Sequence, residues 1–480
     1  MIDFVKDLRH MFYITNPEET QFDENEEITI VKHAIPFFGL FLLLEFIVAY
    51  FRGNLSSFDY KDIIASTCSG TIQQLVMLIS AETLIQPYYF IYNNFRLFTF
   101  DSTTWTHFIL LMLGTDLGYY WMHRNAHSWH WMWTGHSVHH SGQHYNVATA
   151  LRQGILQQFY AWPTYLPLAF IGFNPVQYLA HGQLNLIYQF WVHSEQIGYL
   201  GPIELIMNTP SHHRMHHRPP GNCNYAGVFI IWDRMFGTFR GEDKQIKSYG
   251  LAKPLTSFNG MWLNLQHWVR MTKINDNDNS NTMRNWYNKI FARRVNHPMI
   301  INPLKIFQPD AKHRETLWKL DDGKSKAHRV ELYDGVPLNL TMTLHTLIHF
   351  TIGFLLSYAL MLIHKDIPKY QVTVAMVFLI WSLSNVGQLF TELNRITILI
   401  ESLRIYAIQS FLMMPEKVLD FLFESNHIMR EAAENFIPDK DIRLGMSIVL
   451  GGLWVMAFMT SEKSSSSEVS VNNSDKIKAQ

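Results

Sequence analysis

Long apolar runs separated by bunched charges constrain this chain more than any other feature. They lie at residues 34–51, 69–92, 106–122, 155–173, 176–198, 338–363, 371–390, 396–414 and 444–460. Each approaches the ~20 residues that a helix needs to cross a bilayer core. Backbone amides in lipid must find partners within their own segment, so such runs fold as helices. The expected fold is all-α, a polytopic membrane helical bundle of about nine spans. Charged residues make up 16% of the 480, against roughly 25% in a soluble domain, which agrees. The fourth and fifth runs are interrupted at Trp162-Pro163 and Asn174-Pro175, a pattern that also suits a re-entrant pair.

The charges set an expected orientation. Residues 240–335 hold 17 Lys/Arg against 10 Asp/Glu, which assigns this stretch to the cytosol. Residues 1–32 hold eight acidic and three basic residues, so they fall on the other side and do not read as a secretory signal. An odd number of spans returns the end of the chain to the cytosol. There Lys476 and Lys478 resemble a dilysine signal for retrieval to the endoplasmic reticulum. The chain thus divides into a polar segment (1–33), three spans (34–122), a histidine-rich region (115–250), a basic cytosolic loop (251–337), further spans (338–460) and a serine-rich tail (461–480) expected to be disordered. Within the loop, 273–282 reads as a turn-rich linker, flanked by surface helices over 261–271 and 286–295. A net charge of -1 excludes a nucleic-acid partner recruited by overall basicity. Cys68 and Cys223 form neither a disulfide framework nor a metal-type spacing.

Histidine is the second anomaly, at 24 of 480 residues. His123 and His127 stand at i and i+4, on one helix face. His136, His139 and His140 share one spacing (i, i+3, i+4) with His213, His216 and His217. At this histidine content, such a triplet should occur about 0.06 times by chance, so two occurrences are a specific signal. Neutral imidazoles converging on one point suit zinc, iron, copper or nickel. His193, near the end of the fifth run, can join them in a layer at the cytosolic membrane face. Eight or nine imidazoles are too many for one ion and suit two. All-histidine sets point to iron where dioxygen is a co-substrate, although zinc binds them equally well. Asp116, seven residues before His123, shares its face and either orients a ligand imidazole or caps a polar cavity. His345 and His349 stand alone in the sixth run and read as structural, as does the Glu401–Arg404 pair. The sequence carries no phosphate-binding glycine loop or dinucleotide fingerprint, so electrons for oxygen chemistry must come from outside the chain or from a small reductant.

These boxes resemble those of the fatty acid hydroxylase superfamily, membrane enzymes with histidine-rich non-haem di-iron sites. Thr134-Gly-His-Ser-Val-His-His-Ser141, Tyr145-Asn-Val-Ala-Thr-Ala-Leu-Arg-Gln153, Asn208-Thr-Pro-Ser-His-His-Arg-Met-His-His217 and Asn224-Tyr-Ala-Gly-Val-Phe-Ile-Ile-Trp-Asp-Arg-Met-Phe-Gly-Thr-Phe239 are similar to its ether-lipid-cleaving members. The likeness is dense over about residues 115–250. It implies eight box ligands to di-iron: His123, His127, His136, His139, His140, His213, His216 and His217. It further implies dioxygen as oxidant, tetrahydrobiopterin as reductant, and an alkylglycerol or lyso ether lipid as substrate, cleaved to a fatty aldehyde and a glycerol. Ser128 stands where the family commonly has Glu, and Glu195 is the expected spatial substitute. Trp121, Trp129 and Trp232 are expected stacking partners for the pterin. Two other readings are a sterol or sphingolipid hydroxylase or desaturase fed by a cytochrome, and a histidine-rich metal transporter or sensor. A transporter should carry its acids and histidines near the bilayer midplane on broken helices, which these boxes do not.

Overall fold

The computed structural model describes residues 3–23, 28–242, 248–272, 290–295, 332–412 and 442–456. The linker expected at 273–282, part of the helix expected at 286–295, and the 461–480 tail with its two lysines lie outside the described residues. Among the described residues the chain is helical, with isolated bridges and no strand.

Polar residues at the ends of the apolar runs start the helices. α1 (Phe4–His10) and α2 (Ile30–Phe51) come first. Asp59 caps α3 (Tyr60–Phe95) by accepting from Asp62 N at 2.8 Å. Thr104 caps α4 (Trp105–Ser128), accepting from His107 N. α5 (His130–His136) follows after one extended residue, then α6 (Gln157–Ala161) and α7 (Leu166–Ile171). Asn174 accepts from Val176 N and Gln177 N to open α8 (Pro175–Trp191), with Pro175 in the first turn where its missing N–H costs nothing. α9 (Pro210–His217), α10 (Ile231–Phe236) and α11 (Gly260–Thr272) complete the first part. α12 (Leu340–Ile363), α13 (Lys369–Thr391), α14 (Arg395–Leu412) and α15 (Ile442–Met456) complete the second.

The chain forms two compact units: Met1–Gln73, Ser80–Leu255 and Leu263–Tyr333 in one; Gln74–Ile79, Thr256–Trp262 and Asp334–Gln480 in the other. In the first, α4 packs on α5 and α8, while α8 also packs on α2. Phe37, Leu184, Ile187, Phe190 and Val228 lie in its main apolar core. In the second, α12 packs on α13 and α13 on α14.

This is a membrane protein, and the runs at 396–414 and 444–460 extend beyond the described residues. Among the described residues four helices are long and apolar enough to cross a bilayer: α2, α3, α12 and α13. The run at 155–173 is not one helix. Pro163 and Pro167 each remove a backbone donor, and the segment breaks into α6, a 3-10 turn (Trp162–Tyr165) and α7. The run at 176–198 yields the 17-residue α8, and that at 444–460 the shorter apolar α15. α4 has 24 residues but carries Asp116 and three histidines. α14 carries Arg395, Glu401 and Arg404.

Candidate metal centre

α4 brings His123 and His127 to one buried face, and α9 presents His213, His216 and His217. The second box is not a single helix. His136 ends α5, and His139 and His140 lie in a 3-10 turn. That turn is held from outside the box. Arg152, buried, donates to Ser66 Oγ at 3.0 Å and Ser141 Oγ at 3.1 Å and pairs with Asp62. Close by, Gly154 approaches Gly135 so tightly that a Cβ would stand 1.9 Å from the Gly135 carbonyl oxygen. Only glycine fits there.

All nine histidines come together, in two groups that cut across the boxes. His123, His127, His136, His140 and His216 form one, and His139, His193, His213 and His217 the other; within each, one ring nitrogen from every residue lies within 4.8 Å of the others. The groups abut, with the His140 and His217 rings stacked at 4.4 Å. All nine are buried.

The outer nitrogens fix what the inner ones can do. His123 Nδ1 stands 2.8 Å from Tyr225 O, His139 Nδ1 3.2 Å from Arg152 O, His193 Nδ1 2.7 Å from Gln189 O and His216 Nδ1 2.7 Å from Cys223 O. A carbonyl only accepts, so each Nδ1 carries the proton and each neutral ring turns a bare Nε2 inward. His136 Nδ1 likewise donates to Gln157 Oε1 at 2.9 Å. Two bare nitrogens then face each other in each group: His123 and His136 Nε2 at 2.9 Å, His139 and His193 Nε2 at 3.1 Å. Lone pair against lone pair is repulsive unless a cation lies between. A proton is disfavoured, because burial pushes the His139 imidazole down to about 4 and that of His216 to about 3. A metal ion resolves the conflict. Two imidazole nitrogens each about 2.1 Å from one ion stand roughly 3.0–3.4 Å apart at ordinary angles. The residues present therefore fit one metal per group.

These shifts carry a pH dependence. The folded imidazoles sit below the ordinary 6.5, so the unfolded chain binds more protons as the pH drops. The contribution is fully present above about 6.5 and is lost as the pH falls towards 4. Metal-stripped protein is expected to melt at steadily lower temperature between those values. A flat melting profile over that window would contradict this. Gln157→Leu removes the acceptor that orients His136, and metal affinity or activity should drop about 10–100-fold, read by iron titration.

Asp116 and Glu195 are not brought to the ring nitrogens. Asp116 is fully buried and accepts from Asn185 Nδ2 and Val228 N on Oδ1 (both 2.8 Å), and from Phe229 N (2.8 Å) and Trp232 Nε1 (3.0 Å) on Oδ2. Glu195, half-buried, is hydrogen-bonded by Tyr249 and Asn54. Tyr249 stacks on Tyr145 at 4.5 Å, and Tyr145 lies against His217 at 5.2 Å. Ser128 Oγ donates back to Arg124 O at 2.7 Å. Of the three tryptophans, Trp232 serves Asp116, Trp121 packs on Phe236 and Trp129 lies under Arg293. The sequence reading missed Gln157 and Gln189, which no local pattern marks, and gave no role to Arg152, although it lies in the 145–153 string. It also missed a cavity of about 30 Å³ beside both groups, lined by His136, His139 and His193 with Tyr119, Gln153 and Gln189 among others.

A third cluster, His345, His349 and Glu401, lies in the second unit. There Arg404 donates to both Glu401 oxygens (Nε to Oε2 at 2.8 Å), and Asn385 and His345 (2.7 Å) donate as well. A carboxylate already neutralised by a guanidinium is a structural ion pair, as its spacing suggested.

Residues 108–238, which hold all nine of these histidines, match the family described as fatty acid hydroxylase. More narrowly, the chain is similar to alkylglycerol monooxygenases. It is 43% identical to that of Homo sapiens over 264 residues (54% of this chain, 59% of that one). It is 42% identical to that of Danio rerio over 255 residues (52% and 56%), and 41% to that of Xenopus tropicalis over 268 residues (55% and 59%). The chain spans rather more than half the length of these curated relatives. No solved structure matches it.

Proposed function

We propose that this chain is a di-iron monooxygenase that hydroxylates the ether-linked alkyl carbon of an alkylglycerol or lyso ether lipid, using dioxygen and tetrahydrobiopterin. The single observation that carries the reading is the pair of facing Nε2 lone pairs, one in each of two adjoining histidine groups, inside a fatty acid hydroxylase region. The first group of five and the second group of four imidazoles would each hold one iron. When bound, the irons supply dioxygen activation and the pterin supplies two electrons. One oxygen atom enters the C–H bond beside the ether oxygen and the other leaves as water. The resulting hemiacetal collapses to a fatty aldehyde and a glycerol.

The protein's own part is positioning and exclusion of water. Backbone carbonyls of Tyr225, Arg152, Gln189 and Cys223 hold the rings in the metal-binding tautomer. Asp116 acts as a positioning residue that fastens α4 to α8 and to the segment before α10. Glu195 does the same at second hand, through Tyr249 and Tyr145. In this reading the site faces the cytosol, where a reduced pterin is available, and the protein resides in the endoplasmic reticulum membrane.

The test is a turnover assay on membranes containing the full chain, with an alkylglycerol and dioxygen, reading out fatty aldehyde. It is run with tetrahydrobiopterin and in parallel with reduced pyridine nucleotide alone. Aldehyde that depends on the pterin is the expected result. An iron-loaded chain that makes none under either condition overturns the ether-lipid substrate and favours a sterol or sphingolipid hydroxylation.

A further inference from the structure

The cavity beside the histidine groups has one apolar corner, made by Leu186 and Ala150, and a polar remainder that includes the amides of Gln153, Gln157 and Gln189. At about 30 Å³ it takes a dioxygen or one or two waters and cannot enclose an alkyl chain, since a single water needs about 10–15 Å³ on the same measure. A lipid chain must therefore lie outside and reach in through the apolar corner, because the amides would be desolvated against methylenes.

Leu186 belongs to both sides of that corner. It lines the cavity, yet it is 42% exposed and is the one exposed residue of α8. A lone surface leucine is ordinary, but one that also walls a buried metal cavity separates that cavity from the exterior by a single side chain. One turn earlier on the same face stands Gly182, where an added Cβ would meet nothing within 4 Å. Half-buried Leu179 follows three residues further back. The outer face of α8 is thus a shallow apolar track, open at Gly182, that ends at Leu186.

We propose that the alkyl chain of the substrate lies along this face of α8, over Gly182, and that Leu186 is the gate that admits its ether-bearing carbon. Leu186 then sets which chains can reach the site. Rotation of a half-exposed leucine between staggered rotamers breaks no hydrogen bond, so the gate opens without disturbing the histidine layer. The substrate's identity rests on the ether-lipid reading; the track itself requires only a lipid chain.

Two measurements on the full chain in membranes test this. Gly182→Phe fills the track from a point where an added Cβ meets nothing within 4 Å. It should raise the short-chain over long-chain ratio of kcat/KM for alkylglycerols by about tenfold, with iron content unchanged. Leu186→Ala should shift that ratio the other way. A ratio that stays constant, including when kcat/KM falls equally for all chains, overturns the proposal. Independently of turnover, a lipid with a photoreactive group in its alkyl chain should label the α8 peptide of the iron-loaded wild type. Labelling should fall in Gly182→Phe. Labelling elsewhere overturns the track. If the wild type cleaves no alkylglycerol, the ether reading fails and the labelling still decides whether a lipid chain uses this face.

Discussion

Replacing His139 by alanine should cut turnover by at least about a hundredfold, since loss of a mere orienting partner already costs 10–100-fold. Its Nε2 opposes that of His193 at 3.1 Å, its Nδ1 donates to Arg152 O, and its ring lines the small cavity. Without it the second group keeps three imidazoles, and the metal content should fall towards what the five-histidine group alone retains. The matched control is His212→Ala. That ring adjoins the third box in sequence but stands 3.5 Å from Glu204 and belongs to neither group. It should keep its full metal complement. Measuring iron per chain beside aldehyde formation separates loss of a ligand from loss of the fold. Full turnover in His139→Ala would remove the second group from the active centre.

The grouping of the histidines was legible because the i, i+3, i+4 spacing is local, and local spacing is what a sequence displays. Their division into two groups was not. His139 and His140 are chain neighbours, yet a tight turn sends them to different groups; His216 joins the first group while His213 and His217 join the second. That partition depends on how α4, α8 and α9 pack. The same holds for the carbonyls of Tyr225 and Gln189, which any residue type would offer. Apolar content alone suggested nine spans, and four of the described helices are long and apolar enough to cross a bilayer. The prolines at 163 and 167 break one run, and polar residues interrupt α4 and α14. Asp116 was expected to orient a ligand imidazole or to cap a polar cavity. The direction of its side chain, away from the imidazoles and towards the 228–232 backbone, follows only from the packing.

That direction makes Asp116→Asn a strongly damaging substitution despite its conservative size. Both carboxylate oxygens accept: Oδ1 from Asn185 and Val228, Oδ2 from Phe229 and Trp232. An asparagine amide oxygen can serve one pair, but its NH2 then points at two further donors. Four buried donors converge on one side chain, and each one orphaned costs about 1–3 kcal/mol. Gly227 offers no relief, because it already packs against Asn185, Asp116 and Gln189 so closely that a Cβ would stand 2.7 Å from Asn185 Oδ1. The variant should therefore lose several kcal/mol of stability, seen as a lower melting temperature in detergent and less folded protein in membranes. Whatever folds should still bind metal with near wild-type affinity, since no ring nitrogen contacts Asp116. An unchanged melting temperature with a selective loss of turnover would instead place Asp116 in the chemistry, which is the outcome that distinguishes a positioning residue from a catalytic one.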